Sequence, residues 1–417
     1  LFGQRKSDFT PQALGSAGNQ NRARRSSERH SGTIQSVMTR SSILTSPLAA
    51  HIQQSLVARQ GWMGFDEFMA QALYAPGLGY YVHDSLKFGA LPYTVEGGER
   101  VAGSDFVTAP EMSALFGRTV AAQVAQALQV TRTQEVWEFG AGSGALALQV
   151  LDELTVLGGP LPQYRIVDLS GSLRARQQAK LVRYGDRVQW VTALPESIQG
   201  VVLGNEVLDA MPVKLLARVQ GEWFERGVVQ APPLDDETPV FAWEDRPTDL
   251  RPPLDIEGEH DYLTEIHPQG DAFVATLADK LTRGAIFLID YGFPESEYYH
   301  PQRHMGTVMC HLGHRADPDP LVLVGLKDIT AHVNFTGVAL AAQDAGLEVL
   351  GYTSQAHFLM NCGLIQHMEK ADLPPRVQAQ KLIMEHEMGE LFKVIGLCKG
   401  EPWEAMGFSQ GDRTHRL

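Results

Sequence analysis

The sequence predicts an α/β fold, a seven-stranded and mainly parallel sheet preceded by an N-terminal helical segment and interrupted by an insertion or cap. Three observations carry this. From Val136 onward short apolar runs alternate with helical segments, the pattern of a parallel sheet covered on both faces. A glycine-rich turn follows the first strong strand, and two strand-like runs near the C-terminus have the character of an antiparallel closing pair.

Residues 1–45 are rich in Ser, Arg, Gln, Asn and Gly, carry no helical or strand period, and are expected to be disordered. The chain begins at Leu1, and Met38 opens the stretch that soon becomes patterned, which suits an upstream extension over residues 1–37 lying outside the working protein. An Arg- and Ser-rich, acid-poor leader also has the composition of a mitochondrial transit peptide. A bacterial cytoplasmic location is therefore expected, with the mitochondrial matrix as the alternative.

Between Leu48 and Leu73, apolar residues recur at helical spacing with a break near Gly61 and Gly64, predicting two short helices. Pro76 to Tyr81 is a turn-rich aromatic loop, and residues 112–130 read as one amphipathic helix with Leu115, Phe116, Val120, Val124 and Leu128 on one stripe. Strands are expected at Val136 to Phe139, Tyr164 to Leu169, Val188 to Val191, Val201 to Leu203 and Ala285 to Ile289, with the closing pair at Leu347 to Tyr352 and Phe392 to Cys398. The interval from Lys214 to Arg283 breaks that rhythm with a hairpin turning at Gln220-Gly221-Glu222 and with proline-rich stretches. The expected division is a tail (1–45), a helical segment with the site's rim (46–130), the cofactor-binding half of the core (131–213), an insertion or cap (214–283), the C-terminal half of the core (284–405) and a flexible tail (406–417).

The 417 residues are 44% hydrophobic and 20% charged, an ordinary globular balance, and no apolar run reaches the roughly 18 residues needed to span a bilayer. The formal net charge is −14, although the first 37 residues hold six basic groups against two acidic ones. So acidic a body repels phosphate backbones and attracts a basic peptide or protein, so no nucleic-acid partner is expected. Three widely spaced cysteines, Cys310, Cys362 and Cys398, offer neither a disulfide framework nor a metal knuckle. His300, His304, Cys310, His311 and His314 cluster at irregular spacings among Pro and Gly, and read as a loop with no metal.

The sharpest signal is Val136 to Leu146, a strand, a glycine turn and a helix. Its glycines let backbone approach a ligand and set helix N-terminal N–H groups beside it. Gly140, Gly142 and Ala145 also satisfy a dinucleotide fingerprint, and Asp168 ends the next strand where a ribose-binding acid belongs, so a nicotinamide oxidoreductase stays open. Glu138 inside the strand and the helical segment before it favour S-adenosylmethionine, because a carboxylate suits an ammonium and is awkward beside a pyrophosphate.

After the fourth strand comes Gly204-Asn205-Glu206-Val207-Leu208-Asp209-Ala210-Met211-Pro212-Val213. Glu206 and Asp209, three apart, could share one side of a helical turn at the sheet's ligand-binding edge and grip a planar guanidinium. The plainer reading makes Asp209 a helix cap and Glu206 a surface charge. Upstream, Thr108 with Pro110 and Glu111 reads as a helix start, and His332 as a proton carrier or a histidine satisfied within the fold.

Gly79-Tyr80-Tyr81, Asp105 to Glu111 with Phe116-Gly117, Glu138 to Gly144, Asn205 to Val213, Asp290-Tyr291-Gly292 and Asp328 to Phe335 occur here in one order. Together, from about Phe65 to Gly400, they resemble the MidA family, whose members include a mitochondrial complex I assembly factor that dimethylates an arginine of a complex I subunit. The resemblance implies a class I methyltransferase sheet, S-adenosylmethionine as cofactor and a protein arginine as acceptor. It implies that Asp105 to Glu111 belong to the active-site rim, that Glu138 to Gly144, with Gly140 and Gly142 among them, and Asp168 hold the cofactor, and that Glu206 is a candidate substrate acid. Asn205 is expected beside the cofactor, and Asp209 and His332 join Glu206, Asp105 and Glu111 as the expected catalytic set. The stretch Leu91 to Ala102 and the string Gly103-Ser104-Asp105 depart from the family pattern, which touches the acceptor more than the cofactor. A non-catalytic assembly chaperone that retains the pocket is the other expectation.

Overall fold

Seven strands build the central sheet of the computed structural model, most buried at its centre: β1 (Glu135–Phe139), β2 (Gln163–Val167), β3 (Val188–Val191), β4 (Ile198–Asn205), β5 (Leu281–Phe293), β6 (Glu348–Ser354) and β7 (Phe392–Lys399). The structure describes residues 46–82, 93–94, 100–101, 108–168, 171–232, 240–313 and 315–417; the tail expected over 1–45 and Asp105 lie outside them. The strand order is β6-β7-β5-β4-β1-β2-β3. Neighbours from β5 to β3 run parallel, and β7 runs antiparallel to both β5 and β6, as the closing pair requires. A two-residue strand, Val333–Asn334, adds in parallel at Gly292 and Phe293.

One face of the sheet is covered by helices Ala114–Thr131 and Ala145–Leu157, which bury Phe116, Val120, Val124, Val150 and Leu151. Helices Pro268–Lys280 and Phe335–Asp344 cover the other, with Val274, Leu277, Phe335 and Val338 inside. The helix expected over 112–130 begins later than expected, because Ser113 is extended and separates it from a single turn, Ala109–Met112, that carries Pro110 at its start. Ser113 then caps the longer helix, its Oγ accepting the Leu115 N–H at 3.3 Å. Gly117 is needed where the two covering helices touch: a Cβ there would come within 2.6 Å of the Gln149 side chain. Gln149 in turn accepts the Gly117 N–H at 2.9 Å and donates to the Pro110 carbonyl at 2.7 Å, which fixes the short turn over the sheet edge.

The insertion contains the expected hairpin: Lys214–Val219 and Glu222–Gln230 pair across Gln220 and Gly221, whose φ of +51° and +86° suit a two-residue turn. Phe241–Pro247 and Tyr262–Ile266 complete its sheet. Both N-terminal helices form, Pro47–Ala58 and Phe65–Tyr74, and the break between them is a strand, Trp62–Gly64, paired with Glu222–Gln230. The helical segment and the insertion are therefore one body. Phe65, Phe68, Met69 and Leu73 share a core with Val228 and Phe241, and the Lys214 ammonium bridges Asp66 (3.1 Å) and Glu225 (2.7 Å).

Residues 406–417, expected to be flexible, are packed down. Phe408 is buried, the Gly407 N–H donates to Gln123 Oε1 at 2.9 Å, and Arg413 pairs with Glu390. Aromatic burial and a guanidinium–carboxylate pair hold a segment whose polar composition reads as a tail. Among the described residues, no helix is long and apolar enough to cross a membrane.

Candidate active site

The chain order of the sheet reverses between β1 and β4, and a ligand crevice opens at that point beyond the strands' carboxyl ends. Here it is a cavity of about 1040 Å³, roofed from outside the sheet. The sheet contributes the turns after β1, β2 and β4 and the end of β5. The roof contributes Tyr74 and Tyr81 from the N-terminal segment, the loop Met305–Met309, and Asp328.

On the β1 side, Gly140, Gly142 and Gly144 have φ of +62°, +53° and +79°, a region side chains resist. At Gly140 a Cβ would also press on Val207 at 3.2 Å, so the chain stays bare where a ligand must come close. Glu138 is 2% exposed, and its Oε2 accepts the Tyr164 hydroxyl at 2.7 Å. Burial pushes its carboxyl up to about 7, with the Tyr164 hydrogen bond opposing and Asp168 adding to the rise. Gln177 Nε2 donates to both the Gly142 carbonyl and Asp168 Oδ2, at 2.8 Å each, locking the glycine turn to the acid that ends β2. Asn205 donates to Glu206 Oε1 at 3.0 Å, while its own Oδ1 is buried without a protein partner. Glu111 accepts from Ser143 of the glycine turn and lies 3.8 Å from the Lys180 ammonium.

The residues after β4 do not form the helical turn expected for Glu206 and Asp209. Glu206 has φ +53°, and Asp290 Oδ2 accepts the N–H groups of Val207 (3.1 Å), Leu208 (2.9 Å) and Asp209 (3.2 Å). One carboxylate from the end of β5 thus draws the segment into a tight non-helical turn, which brings both acids to the cavity wall by another route. Asp209 is neither a helix cap nor a surface group: it is 5% exposed, its Oδ2 accepts the Tyr291 hydroxyl at 2.7 Å, and its Oδ1 has no protein partner. Burial, then the charge of Asp209, pushes Glu206 up to about 8; burial against the Tyr291 hydrogen bond brings Asp209 to about 6. Burial and these two neighbours raise Asp290 as well, opposed by the N–H groups it accepts.

Asp328, 2% exposed, brings another carboxylate to the cavity and accepts the Tyr81 hydroxyl at 2.7 Å. Tyr81 stacks on Tyr74 at 5.5 Å, and Tyr74 donates to the Ala210 carbonyl at 2.8 Å. His332 meets Tyr291 edge-on at 5.2 Å with its Nδ1 buried and unpartnered. Burial, then Arg303 and Lys393, pushes it down to about 4, so it is neutral at pH 7. The structure therefore brings Glu138, Gly140, Gly142, Asp168, Asn205, Glu206, Asp209, Glu111 and His332 to one cavity, with Gly144 closing the turn; Asp105 lies outside the described residues. Roles for Asp290, Tyr74, Tyr81, Tyr291 and Asp328 were not read from the sequence. All but Tyr74 lie in the ordered strings that carry the resemblance, and Asp290 also follows an apolar strand at the ligand edge.

Residues 119–353 match the family described as "Putative S-adenosyl-L-methionine-dependent methyltransferase". The chain belongs to this family. A solved structure from Burkholderia thailandensis of a protein described as a "likely methyl transferase", bound to S-adenosyl-homocysteine, is 47% identical, covers 89% of this chain and 96% of its own, and superimposes with a TM-score of 0.80. Among curated relatives, the mitochondrial protein arginine methyltransferase NDUFAF7 of Danio rerio is 27% identical over 86% of this chain and 88% of its own length. The homologue of Caenorhabditis elegans is 26% identical over 81% and 83%. The resemblance read from the ordered strings is borne out, and so is the class I methyltransferase fold. The methyl donor of this family member is S-adenosylmethionine, which sets aside the dinucleotide reading of the glycine turn. The bare turn, the buried Glu138 and the unsatisfied Asn205 Oδ1 fit such a group.

Proposed function

We propose that this methyltransferase acts on an arginine side chain of another protein. The observation that carries the reading is the pair Glu206 and Asp209 on the acceptor side of the cavity, the first half-buried in its wall and the second buried with one unpartnered oxygen. Unpaired buried carboxylates are costly, and a guanidinium answers them as a planar, permanently charged fork. Asp328 and the stacked Tyr74 and Tyr81 suit the same planar cation. The names of the distant curated relatives support it.

In this reading Glu138 faces the donor's amino group, Asp168 its ribose, and the glycine turn with Asn205 lies along it. Glu111 steadies the turn through Ser143. Bound S-adenosylmethionine supplies an electrophilic methyl carbon on a sulfonium. Glu206 and Asp209 would hold the guanidinium with one nitrogen facing the donor's methyl group, a positioning able to supply up to about 7–11 kcal/mol. The bound cation favours the ionised form of Glu206, which would then accept the proton that the methylated nitrogen sheds. The product remains a cation. His332, neutral at pH 7, adds no charge to repel the acceptor.

Mass spectrometry tests this. Lysate from cells lacking the gene, incubated with the full chain and S-adenosylmethionine carrying a deuterated methyl group, should gain label on arginine side chains, and Glu206→Gln should abolish it. Label confined to lysine, glutamine or small molecules refutes the acceptor.

A further inference from the structure

The acceptor side of the cavity holds one feature that a site for a lone cation does not need. Among the described residues, Arg303 is the only Lys or Arg on the cavity wall. Its guanidinium lies over the Phe293 ring at 3.8 Å, and its Nε donates to the Glu297 carbonyl at 2.9 Å. No carboxylate among the described residues pairs with it. Lys393, also above Phe293 at 6.0 Å, is occupied by Glu390 and the carbonyls around it, so it does not serve the same purpose. A half-buried guanidinium whose stacked face and Nε are held by the protein presents its outer nitrogens to whatever enters.

Position decides whose anion it takes. Phe293 ends β5, which lies beyond β4 from the glycine turn, so Arg303 stands on the acceptor side. A short path of rings links it to the acidic pair: Tyr291 donates to Asp209, His332 meets Tyr291 at 5.2 Å and Phe293 at 5.3 Å, and Arg303 covers Phe293. An extended peptide advances about 3.3 Å per residue, so about six residues or fewer span that path.

We propose that Arg303 is a second acceptor subsite that binds a carboxylate within about six residues of the methylated arginine, either an Asp or Glu side chain or a C-terminal carboxylate. It rests on the arginine reading and sharpens it, from any arginine to one in an acidic context. It also reconciles the site with the molecule's charge: a net of −14 discourages an acidic acceptor, and a single cation beside the acid pair supplies local selection.

The test is calorimetry on the full chain loaded with S-adenosyl-homocysteine, using uncharged-end heptapeptides Gly-Gly-Arg-Gly-X-Gly-Gly with X as Glu or Gln, the same pair with Lys in place of Arg, and Gly-Gly-Arg-Gly with a free C-terminus. Glu over Gln should favour binding by about tenfold, one well-placed charge-assisted contact. Arg303→Gln should erase that preference, Arg303→Lys should restore part of it, and affinity for S-adenosyl-homocysteine should stay within twofold in both. The free-terminus peptide against its amide tells a terminal carboxylate from a side chain. Equal affinity for the Glu and Gln peptides, or a large loss of S-adenosyl-homocysteine affinity in Arg303→Gln, overturns the subsite. Lys peptides binding as well as Arg peptides overturns the arginine reading while the Glu–Gln contrast still reports on Arg303; no binding by any peptide overturns both.

Discussion

Replacing Glu206 by glutamine should make the protein more stable while abolishing methyl transfer, and the gain should depend on pH. Glu206 is held near Asp209 in a buried wall, which carries its carboxyl from the ordinary 4.5 to about 8. A carboxyl raised by folding binds protons better in the native state than in the unfolded one. Its contribution is therefore fully present below pH 4.5 and is lost as pH rises towards 8. At about 1.4 kcal/mol per pH unit the ceiling is about 5 kcal/mol, and water entering the cavity brings the expected cost at pH 8.5 to about 2–3 kcal/mol. Glutamine keeps the shape, can still meet Asn205, and cannot ionise. Urea unfolding of wild type and Glu206→Gln at pH 5.5 and 8.5 measures it: a variant less than about 1 kcal/mol more stable at the lower pH, and about 2–3 kcal/mol more stable at the higher. S-adenosyl-homocysteine affinity should change little. Equal stability at pH 8.5, or the same gain at both values, would refute the claim that an uncompensated charge waits there for a cation.

Gly144→Ala places a side chain at φ +79° against Gln177, 3.3 Å from its Cγ, and should lower S-adenosyl-homocysteine affinity at least tenfold by calorimetry, with about 1–2 kcal/mol of lost stability. Glu138→Gln should weaken the same affinity at pH 8.5 more than at pH 6, because the native carboxyl ionises near 7 and only its charged form answers an ammonium. Tyr291→Phe removes the hydroxyl donor to Asp209 Oδ2; KM for the acceptor should rise several-fold, its pH profile should move upward, and cofactor affinity should hold. Glu265→Ala leaves the Thr307 and Val308 N–H groups, 2.7 and 3.1 Å from its Oε1, without their acceptor, and should speed amide exchange across Met305–Met309 before any other part of the cavity wall.

Legibility followed the distance over which each interaction acts. The strand–turn–helix from Val136 to Leu146 and the hairpin at Gln220-Gly221 were readable because a few neighbouring residues dictate them: short apolar runs, and glycines that alone accept positive φ easily. The segment after β4 was readable as a ligand-facing stretch and unreadable in shape. Its turn is imposed by Asp290, more than 80 residues on, whose single oxygen collects three N–H groups, and helical spacing at Glu206 and Asp209 carried no trace of that. The strand Trp62–Gly64 is a three-residue piece whose identity comes from pairing with Val228 far along the chain, so two helices with a break was all the local pattern could say. Residues 406–417 looked like a tail because their composition is polar, and one buried aromatic, Phe408, with the ion pairs of Arg413 and Arg416 outweighs it.

The same distinction separates the two sides of the cavity. The donor side is built by consecutive turns at the sheet edge, each a local motif, and a common donor needs only one such surface. The acceptor side is assembled from pieces remote in sequence: Tyr74 and Tyr81 from the N-terminal segment, Glu206 and Asp209 from the sheet, Arg303 and the Glu265-held loop after the insertion, and Asp328 beyond it. Each piece is positioned by a partner elsewhere, Tyr81 by Asp328, Asp209 by Tyr291, and Met305–Met309 by Glu265 through Thr307 and Val308. A substitution in the cap far from any reacting atom should therefore alter acceptor choice before it alters donor binding. Comparing acceptor KM with S-adenosyl-homocysteine affinity in Lys214→Met, which cuts the Asp66–Glu225 bridge at the cap's seam, checks it: KM should rise with affinity for S-adenosyl-homocysteine unmoved, and equal losses in both would mean that the cap also shapes the donor side.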